Sequence, residues 1–267
     1  MIRERKIQRV SRQGVESLSD VVAIEAPLEI TLKKESEITG RKISITMRTP
    51  GQDVYLALGF LFTEGILDDF SQVISANELE ENQIEVVVND TVNIQQQQLD
   101  RNFYTTSSCG VCGKASIDAI STVSAFDIDS NELRVKKEVL YELPSTLLKH
   151  QETFNQTGGI HAAALFHPNG ELHAYQEDVG RHNAMDKLIG EAWSKGEIPV
   201  QNFVLLLSGR ASFELLQKAG MAGIPVVASV GAPSSLAIKL AEDQGITLTG
   251  FLKSDRFNLY TRYERIQ

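Results

Sequence analysis

Residues 202–252 read NFVLLLSGRASFELLQKAGMAGIPVVASVGAPSSLAIKLAEDQGITLTGFL. Three short apolar runs, NFVLLLS, IPVVASV and ITLTGFL, are separated by two segments of helical periodicity, ASFELLQKAGMAG and SSLAIKLAEDQG. Strand–helix–strand–helix–strand in this rhythm predicts a parallel sheet with crossover helices. In such a sheet ligands collect beyond the carboxyl ends of the strands. Those ends carry SGRAS (208–212), VGAPSS (230–235) and FLKSDRF (251–257). The first two are small, glycine-containing turns into helices, which present backbone N–H groups to an anion. Ser208 and Gly209 belong to the first turn. Arg210, Lys253 and Arg256 add charge suited to phosphate. Any one turn alone reads better as an ordinary helix cap. Three on one edge favour a nucleotide or pyrophosphate. GRHN (180–183) is positioned to join them, with His182 alternatively helping to cap its helix. No G-x-G-x-x-G or P-loop pattern occurs, which excludes an ordinary dinucleotide fold or NTPase.

Upstream, GGIHAAALF–HPNG–ELHAYQED predicts a hairpin, and residues 181–193 a helix with Asn183 as candidate cap. Nearer the start, VVAIEAPLEITL, RKISITMRT and IEVVVND alternate as strands do. PGQDVYLALGFLFTEGIL predicts a buried helix, capped by Asp53 and stopped at Gly65. Residues 1–20 read as a loose polar arm, and QQQQLDRN as an exposed turn. The fold expectation is α/β, with an N-terminal β-rich α+β part over 1–108 and an α/β part over 109–267.

At that boundary stands TTSSCGVCGKAS (105–116), with the only two cysteines in 267 residues. The spacing of Ile117, Ile120 and Val123 predicts a helix over 114–126, so the pair sits in a glycine-rich loop before a helix. A zinc site needs four ligands. His161, His167 and His173 are the tempting additions, but the hairpin places His161 and His173 too far apart, or on opposite faces. A redox disulfide stays open, although no parallel strand clearly precedes the pair. A sulfur carrier needs an exposed thiol of low pKa. Lys114 and the helix start favour one, and Gly110 and Gly113 let the loop reach.

Net charge is −9, which argues against general binding to nucleic acid or anionic membrane. The basic start lacks an apolar run behind it, so no secretory signal is expected. No stretch approaches the roughly 20 apolar residues of a membrane span. Two cysteines make no disulfide framework, and a reducing compartment is expected.

Taken together, TPGQDVYLALGFLFTEGI, SSCGVCGKAS, TGGIHAAALF, EDVGRHNAMDKLIG, LSGRASFELLQKA, VGAPSSLAIKLA and GFLKSDRFNLY resemble the formate dehydrogenase accessory sulfurtransferase family (FdhD). The blocks run from about residue 20 to the C-terminus in one order. The resemblance implies a persulfide received from a cysteine desulfurase on the C-x-x-C loop, Cys109 carrying the sulfur with Cys112 as partner. It implies delivery of that sulfur to molybdenum in the bis-molybdopterin guanine dinucleotide cofactor, which is then inserted into formate dehydrogenase. It implies a cytoplasmic homodimer, and a C-terminal part like cytidine deaminase without its zinc. Cofactor binding carries over to Phe251, Leu252, Lys253, Ser254, Asp255 and Arg256. Two alternatives stay in view, a cofactor carrier without sulfur chemistry and a thiol–disulfide protein. A zinc deaminase would need H-x-E or C-x-E followed by P-C-x-x-C. Here the one H-x-E, at His150, follows the cysteines, and no proline precedes Cys109.

Overall fold

Alternating apolar residues build two sheets that share one core. The computed structural model describes residues 1–93 and 126–267. The cysteine pair, residues 114–125 of the expected 114–126 helix, the glutamine-rich stretch and the expected boundary at 108/109 therefore lie outside the described residues.

The first sheet has the order β4–β3–β6–β5, from β3 (Ala26–Lys34), β4 (Arg41–Arg48), β5 (Val73–Glu80) and β6 (Gln83–Val88). Every second residue of β3 and β6 points inward: Leu28, Ile30 and Leu32, then Ile84, Val86 and Val88, are all buried. Helix α1 (Asp53–Thr63) covers that face and is buried along most of its length. Asp53 is not its cap. Gln52 holds that place in a left-handed conformation (φ 57°), while the Asp53 carboxylate accepts two bonds from the Arg48 guanidinium (2.7 and 3.0 Å). Gly65 does end the segment: its φ is 67° and its N–H donates to Phe62 O.

The second sheet has six strands in the order β12–β11–β10–β9–β7–β8. The expected hairpin is β7 (His161–Phe166) with β8 (Leu172–Asp178). The expected parallel strands are β9 (Val204–Leu207), β10 (Val226–Ser229) and β11 (Thr247–Gly250); β12 (Asn258–Leu259) is a short antiparallel edge. Strand order steps in one direction from β9 to β11. Right-handed crossovers then put helices α5 (Phe213–Met221) and α6 (Ser235–Asp243) on the same face. Leu205, Leu207, Val227 and Leu248 meet that face. Val204, Leu206, Val226 and Ala228 point the other way, to Leu140, Leu143 and Leu147 of α2 (Lys137–Leu148). A short α3 (Glu152–Thr157) precedes β7.

Helix α4 (Arg181–Ser194) joins the halves by crossing α1 at two glycines. A Cβ on Gly59 would collide with Asp186 O, and one on Gly190 with Tyr55 O. The helices therefore touch backbone to backbone, and one apolar cluster runs from Leu28 on β3 to Leu248 on β11.

Two further expectations are corrected. Residues 1–20 are not a loose arm: β1 (Ile2–Ser11) and β2 (Gly14–Ala23) form a hairpin in register from Ile2↔Ala23 to Ser11↔Gly14. Val21–Ala23 consequently ends β2, and the run VVAIEAPLEITL is two strands. Asn183 does not cap α4. Gly180 holds the cap position, and the Asn183 amide donates to Met47 O (2.8 Å) and Asp178 Oδ1 (3.1 Å).

Candidate functional site

The three predicted turns are laid side by side and stitched together. Ser208 continues the ladder beyond β9: its N–H donates to Ala162 O (3.0 Å), and its hydroxyl accepts from Ala162 N (2.8 Å). The Gly209 carbonyl accepts from Gly231 N (3.0 Å) and from the Ser229 hydroxyl (2.7 Å). Gly231 O in turn accepts from Phe251 N, and Ser229 O from Leu252 N (3.0 and 3.1 Å). Gly231 has to be glycine, because a Cβ there would stand 2.9 Å from Gly209 O and 3.0 Å from Arg210 Cα. Ser234 caps α6, accepting from Ala237 N, whereas Ser212 makes no such bond at α5.

The edge divides into support and contact surface. Leu252 is 1% exposed and packs into the α2-side core, so its side chain anchors the turn instead of facing a ligand. Arg210, Phe251, Lys253, Ser254, Asp255 and Arg256 are exposed. Phe251 has φ 53°, an uncommon conformation for a bulky residue, held by the hydrogen bonds on either side. Arg256 lies 3.4 Å from Asp255, with both side chains about two-thirds exposed. A contact that open contributes little and leaves the guanidinium available.

A second group stands at the same edge. The register Ala163↔Leu207 extends β7 so that His161 comes opposite Gly209. A Cβ on that glycine would be 3.2 Å from His161 Nδ1. His182, on the first turn of α4, sits 3.3 Å from Ser212 Oγ and 3.8 Å from Glu214 Oε2. Both oxygens face the same ring nitrogen, so this is no relay of the serine-hydrolase kind, which needs a carboxylate on the opposite nitrogen. Burial lowers the His161 pKa; the Arg181 cation adds to this and Asp178 opposes it. Arg181 Nε is itself buried with no hydrogen-bond partner among the described residues. GRHN thus does reach the strand-end edge. His161 was legible only through the antiparallel register, which its local sequence does not announce.

Beneath α4's first turn lies Asp178. Its Oδ1 accepts from Gly180 N and Asn183 Nδ2 (2.8 and 3.1 Å), and its Oδ2 from Thr49 N (3.1 Å) and Lys187 Nζ (2.7 Å). This carboxylate ties the first sheet to the helix that carries Arg181 and His182. A second buried pair, Lys218 with Asp186 at 2.9 Å, connects α5 to α4.

Burial, then the Arg181 and Lys218 cations, push His182 down to about 4, with Glu214 and Glu64 only partly opposing. A histidine kept neutral in the fold protonates more readily once unfolded. Its contribution is complete above pH 6.5 and is lost as pH falls toward about 4. His182→Asn should therefore show a shallower loss of stability between pH 7 and 4 than the parent. Urea midpoints along that range measure it, and parallel curves would show that His182 does not control this limb.

His167 and His173 cluster with Phe203 at the opposite end of the hairpin (ring centroids 4.5–5.3 Å apart), where His173 pairs with Glu197 at 3.1 Å. The three histidines therefore do not converge. Among the described residues no group of three His, Cys, Asp or Glu could hold a metal ion. None of their helices is long and apolar enough to cross a membrane.

Comparison with known proteins gives a consistent result. The model of the FdhD/NarQ family matches residues 23–267. The sulfur carrier protein FdhD of Streptomyces coelicolor is 47% identical, covering 98% of this chain and 94% of its own. That of Mycobacterium tuberculosis is 44% identical (98% and 97% covered). That of the archaeon Saccharolobus solfataricus is 43% identical (93% and 91%). Among solved structures, a candidate formate dehydrogenase accessory protein from Desulfotalea psychrophila superposes with a TM-score of 0.76. It is 23% identical, with 100% of this chain and 99% of that one covered, a likeness of fold alone.

Proposed function

The chain belongs to the FdhD/NarQ family, and on that premise we propose that it carries sulfur from a cysteine desulfurase to the molybdenum cofactor of formate dehydrogenase. Cys109 attacks the outer sulfur of the donor's persulfide, the donor thiolate leaves, and Cys109 holds the sulfur as a persulfide. Once the acceptor molybdenum is in place, and not before, Cys112 attacks the inner sulfur of that group. The outer sulfur departs as sulfide, and the two electrons it takes leave the thiol pair as a disulfide. The receiving molybdenum is cargo, bound through the guanine dinucleotide arms of its bis-molybdopterin cofactor. The same proposal includes a cytoplasmic location and a cytidine-deaminase-like second part without zinc. The mixed sheet with three parallel strands supports that likeness.

The observation that carries the binding half is the stitched edge. Three strand-end turns converge there with Arg210, Lys253 and Arg256 exposed and with His161 and Arg181 alongside. Exposed guanidinium and ammonium groups at one edge match a pyrophosphate. Ser208 and Gly209 shape the edge. Phe251, Lys253, Ser254, Asp255 and Arg256 supply its contact surface, with Leu252 as anchor.

GDP is the probe, since it reproduces one arm of the cofactor. Arg256→Ala should weaken GDP binding roughly tenfold to a hundredfold, the span of one charge-assisted phosphate contact of about 1.5–3 kcal/mol. Cys109→Ala should leave GDP affinity unchanged, because the thiol serves the metal end. Calorimetry on these proteins decides. Equal affinity in Arg256→Ala removes Arg256 from the site, and absence of GDP binding removes the nucleotide from the proposal.

A further inference from the structure

The strand-end edge has two sides. The turn after β11 (251–256) forms one, and His161 of β7 with the start of α4 forms the other; β9 and β10 lie between them. Three strand intervals of about 4.8 Å separate β7 from β11. The floor between the two sides includes Gly209 and Gly231, neither with a side chain to obstruct a ligand. Position builds the α4 side. His161 pairs with Asp178 across β7 and β8, and Asp178 Oδ1 accepts from Gly180 N at 2.8 Å, which brings Arg181 alongside the end of β7. The two histidines then bracket the turn before α5. A Cβ on Gly209 would be 3.2 Å from His161 Nδ1, and His182 Nε2 lies 3.3 Å from Ser212 Oγ. Arg181 directly precedes His182, is half-buried with its Nε shielded from solvent, and its charge bears on both rings. The guanidinium therefore lies between the histidines, beside the turn that carries Arg210.

A nucleoside monophosphate brings one phosphate to this edge, and a diphosphate brings a second that needs its own cation. The histidines do not supply it. Burial first, then the Arg181 charge, lowers both; Asp178 opposes at His161, while at His182 Lys218 adds and Glu214 and Glu64 oppose. A neutral imidazole offers one N–H donor and no charge. Lys187 and Lys218 are committed to Asp178 and Asp186. Arg181 is the cation that remains on this side among the described residues, and its planar fork suits a phosphate. On the reading that the edge binds a guanine nucleotide arm, we propose that Arg181 takes the phosphate distal from the nucleoside and so sets a preference for a pyrophosphate over a single phosphate. Arg256, on the other side, holds the proximal phosphate.

Calorimetry with GMP and GDP on the full chain tests this. The parent should bind GDP roughly tenfold to a hundredfold more tightly than GMP, the span of one charge-assisted phosphate contact. Arg181→Gln should erase that preference by weakening GDP while leaving GMP nearly unchanged, whereas Arg256→Ala should weaken both. Histidine resonances of the parent give a second readout that needs no substitution and decides even where Arg181→Gln does not fold. A phosphate on Arg181 cancels the field that keeps protons off the rings, so GDP should raise the pH at which His161 and His182 titrate, and GMP should raise it less. His167 and His173, at the opposite end of the hairpin, should not respond. Equal affinity for GMP and GDP in the parent, a folded Arg181→Gln that keeps the preference or weakens both ligands alike, or His161 and His182 indifferent to bound GDP would each overturn the role of Arg181 and leave nucleotide binding at the edge standing. A parent that binds neither nucleotide would overturn the nucleotide reading and this inference with it.

Discussion

Cys109→Ala should leave formate dehydrogenase without activity when this chain is its only sulfur source, while the variant protein folds and binds GDP like the parent. The size of the effect follows from chemistry. A sulfur held on a thiol has no substitute attachment when that thiol becomes a methyl, and the chain offers only one other cysteine. Cys112→Ala should behave differently. The carrier thiol remains and loads sulfur, but the partner that closes the disulfide is gone, so loading persists while delivery fails. A pure cofactor carrier would show neither effect. Dehydrogenase activity in cells that produce each variant, beside GDP calorimetry on the purified proteins, separates the readings. Normal activation by Cys109→Ala would end the sulfur-carrier account.

The second large effect concerns stability. Lys187 and Asp178 are 1% and 0% exposed and lie 2.7 Å apart. Asp178→Ala strands the ammonium in the interior, and Thr49 O becomes its main remaining partner at 2.8 Å. Breaking a buried pair from one side costs about 3–5 kcal/mol, because the surviving charge is neither solvated nor paired. The same change removes acceptors from Gly180 N, Thr49 N and Asn183, so it loosens the junction of β8, α4 and the turn after β4. Arg9→Ala is the comparison. Its partner Glu16 is 3.7 Å away and both side chains are more than half exposed, so the change should stay within about 1 kcal/mol. Urea unfolding of the two variants measures the contrast. Losses of similar size would show that the buried cluster does not fasten the sheets together.

The sequence made the centre of the second sheet plain and its surroundings less so. β9, β10 and β11 are short, buried at every residue and bounded by turn residues, a pattern that only a doubly covered parallel strand produces comfortably. The hairpin at the start was hidden by its charges. Arg3, Arg5, Lys6 and Arg9 outnumber the apolar residues of β1, and alternation shows only once Ile7 is set against Leu18. β5 escaped because its acidic end is exposed. Asp53 and Asn183 were read as caps from local chemistry, yet tertiary partners claimed both side chains: Arg48 for one, Asp178 and Met47 O for the other. The candidate strand-end site was visible in its glycines and cations. What local sequence did not disclose was Leu252 turning inward and His161 arriving from an antiparallel neighbour.

The central claim is that this chain holds sulfur on Cys109. Its most direct test is the intact mass of the purified protein after incubation with a cysteine desulfurase and free cysteine. The account predicts a gain of one sulfur atom, removed by reductant and absent from Cys109→Ala. An unchanged mass in the wild type, or the same gain in Cys109→Ala, would contradict it.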